Sequence, residues 1–66
     1  MKLHYDPQVD CLYLRLGESK IIESEEVRPG IVLDYDEHDR VVGLEVLNLR
    51  KRFPEADVRR FQLDVA

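Results

Sequence analysis

The sequence lacks most of the devices that hold very small proteins together. Its 66 residues contain one cysteine, Cys11, which excludes an intrachain disulfide. The two histidines, His4 and His38, are far apart and make a poor start for a structural zinc site. A core of this size supplies only about 3–5 kcal/mol of net stability. Because subunit association is the remaining device, the composition predicts a homodimer.

Long apolar runs are also missing. No stretch approaches the roughly 18 apolar residues that a membrane span needs. Met1-Lys2-Leu3 leads into an Asp-Pro turn rather than into the apolar region of a signal peptide. A chain without a disulfide framework is typical of reducing compartments. We therefore expect a cytoplasmic protein that does not contact a membrane.

Basic residues are the scarcer charged type, with 10 against 14 acidic ones and a net charge of -4. This balance weighs against nucleic-acid binding, which requires a basic surface to displace counterions from phosphates. Residues 1–47 hold five basic and eleven acidic groups, whereas residues 48–66 hold five basic and three acidic groups. The asymmetry either supports head-to-tail contacts between subunits or simply solvates two faces.

Catalytic motifs are absent: the sequence contains no Gly-rich phosphate loop, no Ser/His/Asp arrangement and no CxxC pair. Cys11 beside His4 or His38 would suffice for covalent chemistry. No oxyanion device accompanies it, however, and a half-buried structural cysteine is the better interpretation. We therefore predict that the protein is not an enzyme and uses no cofactor.

What the sequence does contain is one pattern written twice, thirty positions apart. Leu3-His4-Tyr5-Asp6 precedes leucines at 12, 14 and 16, and Leu33-Asp34-Tyr35-Asp36 precedes apolar residues at 42, 44 and 46. Alternation, a turn and renewed alternation indicate a β-hairpin, so the pattern predicts two of them. If the second strands of the two hairpins are neighbours, the Tyr13 ring lies over the backbone of Gly43.

Turn signals divide the chain into five predicted strands, at 2–5, 11–16, 20–27, 31–35 and 40–47. The strongest turn is Arg28-Pro29-Gly30, because proline fixes one corner and glycine permits a positive φ at the next. The third strand begins apolar and ends in Glu23-Ser24-Glu25-Glu26. Such a charged sequence is expected of an edge strand, because the charges discourage stray pairing.

The pattern changes after the fifth strand. Asn48 is placed to cap a short helix over 49–53, and Pro54 ends that turn. Residues 55–60 are predicted to open a second helical turn, and residues 61–65 alternate again as in a strand. A terminal strand without a partner in its own subunit either pairs across a dimer or frays. The sequence leaves both alternatives open.

Together these elements predict a single small domain over residues 1–66, with its core at 2–47 and a helical turn and tail at 48–66. The fold class is mainly β (α+β): a small antiparallel sheet of about five strands built from two hairpins, with one short helix near the C-terminus. The apolar face of such a sheet is larger than a short helix can cover, so it needs a second layer. A symmetric homodimer supplies one.

Four stretches of the chain carry a family resemblance. They are Tyr5-Asp6-Pro7 through Leu16, Glu23-Ser24-Glu25-Glu26-Val27, Pro29-Gly30 through Asp36, and Arg40 through Leu47. Over residues 3–53 the chain resembles the small bacterial and archaeal domain-of-unknown-function family numbered 2283. The resemblance implies a short, β-rich protein with no assigned activity and no catalytic residues to transfer. Some members occur beside small proteins regarded as toxins, which implies an antitoxin-like or regulatory role for those members.

Two sets of residues are candidates for binding. Asp34, Asp36 and His38 are candidate ligands for a divalent metal, because oxygen-rich clusters bind hard cations. The other interpretation is that such aspartates are turn formers. The candidate dimer-interface residues are Tyr13, Phe53, Phe61 and Leu63.

We therefore predict an uncharacterised, non-enzymatic protein-interaction module that is a homodimer. Its acidic Glu23, Glu25 and Glu26 suit a small basic protein partner. The alternative is a small-molecule or divalent-metal-binding domain that uses the acidic turn residues. A nucleic-acid role for the basic residues at 50–60 is a weaker alternative, because the net charge argues against it.

Overall fold

A computed structural model describes residues 1–66 and contains five strands and one short helix. The elements are β1 (Lys2–Asp6), β2 (Cys11–Arg15), β3 (Glu23–Arg28), β4 (Ile31–Tyr35), β5 (Val41–Leu47) and α1 (Leu49–Arg52). The mainly β fold class with one short C-terminal helix is confirmed. No helix in the chain has the length and apolar character needed to cross a membrane.

The five strands form one antiparallel sheet in the order β1-β2-β5-β4-β3. The repeated sequence pattern therefore does encode two hairpins, β1–β2 and β4–β5, whose second strands lie side by side. β3 lies at one edge, as its acidic sequence predicts, and β1 lies at the other. The sheet thus has two open edges of different charge.

One face of the sheet is built from apolar rows that cross neighbouring strands. Leu3, Leu14, Leu44 and Leu33 are successive Cα partners across β1, β2, β5 and β4. A second row follows in the same way, through Tyr5, Leu12, Val46 and Ile31. Side chains alternate between the two faces of a strand, so these rows form one continuous apolar face.

The opposite face carries polar and small residues. One row consists of His4, Tyr13, Glu45 and Val32, and the next consists of Lys2, Arg15, Gly43, Asp34 and Ser24. A register shift between β4 and β5 follows Asp34, since its partner is Gly43 whereas Tyr35 pairs with Val41. The extra residue, Val42, is consistent with a β-bulge beside the Gly43 backbone.

The chain has almost no core of its own. Only five of the 66 residues are buried, and Val42 and Leu49 are the only large hydrophobic residues among them. Asp34 and Asp36 are each 2% exposed, so carboxylates are as deeply buried as any apolar side chain. The sheet is therefore a single layer that α1 covers at one end only.

Two elements predicted after α1 do not form in the single chain. Residues 55–60 form turns rather than a helix, with Ala56 N–H donating to Phe53 C=O and Arg60 N–H donating to Asp57 C=O. Residues 61–65 are not a strand in the single chain, although their sequence alternates. Alternation specifies a strand only where a neighbouring strand offers backbone groups to pair with, and no strand of the chain does so here.

Candidate functional site

The apolar face is the most extensive surface of the protein that lacks a covering layer. Leu14, Leu44 and Leu33, at its centre, are all only half-buried, and Leu3 at its edge is 43% exposed. Leucines in a folded core are normally buried almost completely. Contiguous apolar surfaces of this kind are uncommon on monomeric soluble proteins.

The polar face has a compact cluster around the Gly43 backbone. A Cβ atom at Gly43 would lie 2.7 Å from Asp34 Oδ2 and 2.9 Å from Tyr13 Oη. Ser24 Oγ donates a hydrogen bond to Asp34 Oδ1 at 2.5 Å. Arg15 Nη1 donates to Tyr13 Oη at 3.3 Å. The absence of a side chain at Gly43 thus allows a carboxylate and a phenol to lie against the strand.

The predicted contact between Tyr13 and Gly43 is confirmed, with a refinement of its register. The Cα partner of Gly43 is Arg15, and Tyr13 pairs with Glu45. The Tyr13 hydroxyl therefore reaches Gly43 diagonally. Diagonal neighbours on one face lie within reach of aromatic side chains.

Glu45 extends this cluster and affects the pKa of the Cys11 thiol. Burial raises the pKa of Glu45, and the nearby Asp34 carboxylate raises it further. Burial also raises the pKa of the Cys11 thiol, with a smaller contribution from the charge of Glu45. Because the thiolate is the nucleophilic form of cysteine, Cys11 is poorly placed for covalent chemistry.

The connection between β2 and β3 is held against the end of the sheet by arginines. Arg15 Nε donates to Gly17 C=O at 2.6 Å, and its Nη2 donates to Ser19 C=O. Arg40 Nη2 donates to Ser19 Oγ at 3.2 Å. The sequence does not indicate this role of Arg15 and Arg40, because the role depends on the path of the β2–β3 connection from one hairpin to the other.

Asp36 organises the β4–β5 turn. Its Oδ1 accepts from the backbone N–H groups of His38 and Arg40 at 2.9 and 3.0 Å, and its Oδ2 accepts from the Arg40 guanidinium at 2.9 Å. Burial alone would raise the pKa of Asp36, but the backbone and side chain of Arg40 and the backbone of His38 outweigh it and lower the pKa to about 2. Asp36 is therefore a turn former.

The three candidate metal ligands do not form one cluster. Asp34 lies on the polar face beside Ser24, whereas both carboxylate oxygens of Asp36 are taken up by its own turn. His38 contributes its backbone to that turn, and its imidazole Nε2 lies 3.4 Å from Glu37 Oε1. No three His, Cys, Asp or Glu side chains anywhere in the chain converge as they would around a metal ion.

Asp10 is the residue whose importance the sequence did not reveal. Asn48 does stand at the start of α1, but its side chain makes no capping hydrogen bond. Instead Asp10, in the β1–β2 turn, accepts from Arg50 N–H at 3.0 Å and from Tyr5 Oη at 2.7 Å. The Tyr5 hydroxyl is the main cause of the lowered pKa of Asp10, which the Arg50 backbone lowers further. A cap supplied from forty residues away leaves no local sequence signal.

The predicted interface residues occupy different parts of the molecule. Tyr13 lies within the polar-face cluster and is half-buried. Phe53, directly after α1, is 53% exposed, and Phe61 and Leu63 in the tail are 54% and 87% exposed. Three of the four predicted interface residues are therefore exposed apolar side chains.

The basic residues of α1 are only partly available for binding. Arg52 Nε donates to Leu47 C=O at 3.0 Å, and its Nη2 donates to Pro29 C=O. The Arg52 guanidinium fills the position where a Cβ at Gly30 would lie, and Gly30 has a φ of 78°. Arg52 therefore ties α1 to the β3–β4 turn.

These features define the class of protein: a small single-layer antiparallel β domain, capped at one end by a helical turn, with one apolar face uncovered. A family model described as "Protein of unknown function (DUF2283)" matches residues 2–50. The chain belongs to this family, as the sequence resemblance indicates. Comparison with curated proteins and with solved structures finds no match.

Proposed function

We propose that this protein is a non-enzymatic protein-interaction module that acts as a homodimer joined through its apolar face. The observation that carries the proposal is that Val42 and Leu49 are the only large hydrophobic residues buried in the chain. A single-layer sheet exposes the surface that a second layer should cover. A second copy offers an identical apolar face, and isologous dimers are the commonest oligomers.

The energetics favour stacking of two faces. Full burial of an exposed leucine contributes about 1.5–3 kcal/mol, so each half-buried leucine gains roughly 1 kcal/mol on being covered. Leu3, Leu14, Leu44 and Leu33 are all available for this in each copy. That gain is comparable to the whole net stability of about 3–5 kcal/mol expected for a domain of this size.

Light-scattering mass tests the homodimer directly. We expect twice the chain mass of 7.8 kDa at micromolar concentration. Leu3→Glu changes a residue that is already 43% exposed, so it should reduce dimerisation without unfolding the chain. Val9→Glu is the matched control, since Val9 is 65% exposed in the β1–β2 turn and lies off the apolar face. A wild-type monomer, or equal effects of the two variants, would refute the face-to-face dimer.

The proposal that the protein is not an enzyme rests on the raised pKa of Cys11 and on the hydrogen bonds that occupy Asp36. The raised pKa of Cys11 keeps it a thiol at neutral pH. Asp36 is fully occupied by its turn. Thiol alkylation measures the first point: Cys11 should react with iodoacetamide more slowly than free cysteine at pH 7, and faster reaction would contradict it.

A small basic protein is the partner that suits the dimer best. Glu23, Glu25 and Glu26 are exposed on β3, and none of them is within ion-pair distance of a basic side chain. The antitoxin-like or regulatory role implied for some family members would use such a partner. The test is a titration with the purified product of an adjacent small basic reading frame. Binding should weaken with salt and with Glu25→Gln, and salt-independent binding would argue against an electrostatic partner.

A further inference from the structure

The outer edge of β3 has no backbone partner. β3 pairs with β4 alone, so its other side faces solvent. Its Glu23, Glu25 and Glu26 are exposed and unpaired with any cation. Charges on an edge discourage pairing with most strands, but they favour a strand of opposite charge.

The C-terminal segment, residues 59–65, has the complementary properties. It begins with Arg59-Arg60 and continues with alternating Phe61, Leu63 and Val65, which are 54%, 87% and 85% exposed. Arg60 has no acidic side chain within ion-pair distance, and Arg59 lies 3.4 Å from Asp57 in its own turn. The backbone of the segment makes two hydrogen bonds, both within that turn: Arg59 N–H donates to Asp57 Oδ1 and Arg60 N–H donates to Asp57 C=O.

We propose that the C-terminal segment of a second copy adds to the β3 edge as a sixth strand, with its arginines against the β3 glutamates. This inference rests on the homodimer proposed above and adds a second contact to it. A basic partner would therefore compete with the C-terminal segment for the β3 glutamates. The β1 edge is the other unpaired edge, but its Lys2 and Asp6 carry opposite charges, so it lacks the acidic character of β3. Charge therefore selects β3.

The face parity of the two strands supports the same pairing. Glu23 and Glu25 are the Cα partners of Tyr35 and Leu33, so they stand at the end of the apolar rows. Arg59 has the same strand parity as Phe61 and Leu63. If the Arg59 side chain lies on the same sheet face as Glu25, Phe61 and Leu63 therefore lie on the apolar face as well.

A sixth strand would enlarge the apolar face that the dimer buries. A sixth strand would widen each sheet face by about 4.8 Å, the spacing between neighbouring strands. A standard interface buries about 800 Å² of accessible surface on each partner, so a wider face brings the dimer closer to that size. Exchanged C-terminal segments would widen each face and bury Phe61 and Leu63, which are exposed in the single chain.

Complementary charge reversal in the full-length chain tests the proposal. The tail-reversed variant is Arg59→Glu with Arg60→Glu, and the edge-reversed variant is Glu23→Lys with Glu25→Lys. Each variant alone should dimerise at least tenfold more weakly than wild type. An equimolar mixture should recover a wild-type-like dissociation constant, because each reversed strand then meets an opposite charge. Lys20→Glu with Lys51→Glu is the net-charge control for the tail-reversed variant, because it makes the same charge change at exposed residues outside the segment.

The outcomes separate this inference from the homodimer itself. Recovery of dimerisation in the mixture supports exchange between copies. So does tryptic cleavage after Arg59 and Arg60 that is slower in the wild-type dimer than in the edge-reversed variant. A wild-type dimer that both reversed variants preserve overturns the inference and leaves the face-to-face dimer standing. A wild-type monomer overturns both, and tryptic protection in that monomer would assign the segment to the β3 edge of its own chain.

Discussion

Gly43→Ala tests whether the polar-face cluster determines stability. The new Cβ would lie 2.7 Å from Asp34 Oδ2, 2.9 Å from Tyr13 Oη and 3.2 Å from Asp34 Cβ. Asp34 has little room to move, because it is 2% exposed and bound to Ser24. Overpacking of this kind costs about 1–3 kcal/mol, and the lost Ser24 hydrogen bond adds about 1 kcal/mol.

The net loss for Gly43→Ala is about 2 kcal/mol, after allowing for roughly 0.4–1 kcal/mol gained because alanine restricts the unfolded chain. In a domain of this size, that loss lowers the melting temperature by roughly 8–16 °C. Circular dichroism melts at one fixed protein concentration measure it, because dimerisation makes the melting temperature concentration-dependent. This is a large fraction of the stability available to so small a protein.

Two further variants show whether the cause is the steric contact. Gly17→Ala is the matched control, since the nearest atom to its Cβ is Val42 Cγ1 at an ordinary 3.5 Å, and its melting temperature should stay equal or rise slightly. Adding Tyr13→Phe to Gly43→Ala removes the hydroxyl and should recover part of the loss. If Gly43→Ala melts within about 2 °C of Gly17→Ala, corresponding to less than roughly 0.5 kcal/mol, the close-contact reasoning is refuted.

Three other predictions concern the titrating and capping carboxylates. Asp36 has a folded pKa of about 2, so it stabilises the fold at pH values above the ordinary pKa of an aspartate, and this contribution is lost as the pH falls from about 4 towards 2. The melting temperature of Asp36→Asn should therefore depend less on pH over that range than that of wild type. An identical slope would contradict this. Glu45 has a raised pKa, so it favours the fold at pH values below the ordinary pKa of a glutamate and costs stability as the pH rises through its folded pKa. Glu45→Gln should therefore melt at a higher temperature than wild type at pH 7 and lose that advantage below pH 4. A lower melting temperature at pH 7 would refute this. Asp10→Gly should lower the melting temperature by uncapping α1, whereas Asn48→Gly should not. Glycine accepts the positive φ of both residues, 54° and 55°, but only Asp10 makes a capping bond; equal losses would show that Asp10 is not the cap.

The strands could be predicted from the sequence because each is bounded by a local turn signal. Pro7, the Pro29-Gly30 pair and Asp36 act within a few residues of their own positions, so the two hairpins and the β3 edge follow from short stretches of chain. Gly43 also gave a usable signal, since a glycine inside a strand indicates close approach of another group.

The parts that could not be predicted depend on residues distant in sequence. Asp10 caps a helix forty positions away, and Arg15 binds the carbonyl groups of a connection whose path depends on the whole sheet. The pKa of Glu45 depends on Asp34, which lies on a neighbouring strand. In the tail, alternation alone did not produce a strand, because pairing requires a neighbour that the single chain does not offer there.

The anchoring of α1 has a consequence for the order in which the fold forms. Asp10 holds the Arg50 backbone across 40 residues, and Arg52 holds the β3–β4 turn across 23. Contacts so distant in sequence form late, because the loops that join them must close first. Each hairpin can form from a short stretch of chain, whereas α1 is fastened only once the distant turns that it contacts are in place. We therefore expect α1 to dock after the two hairpins have formed.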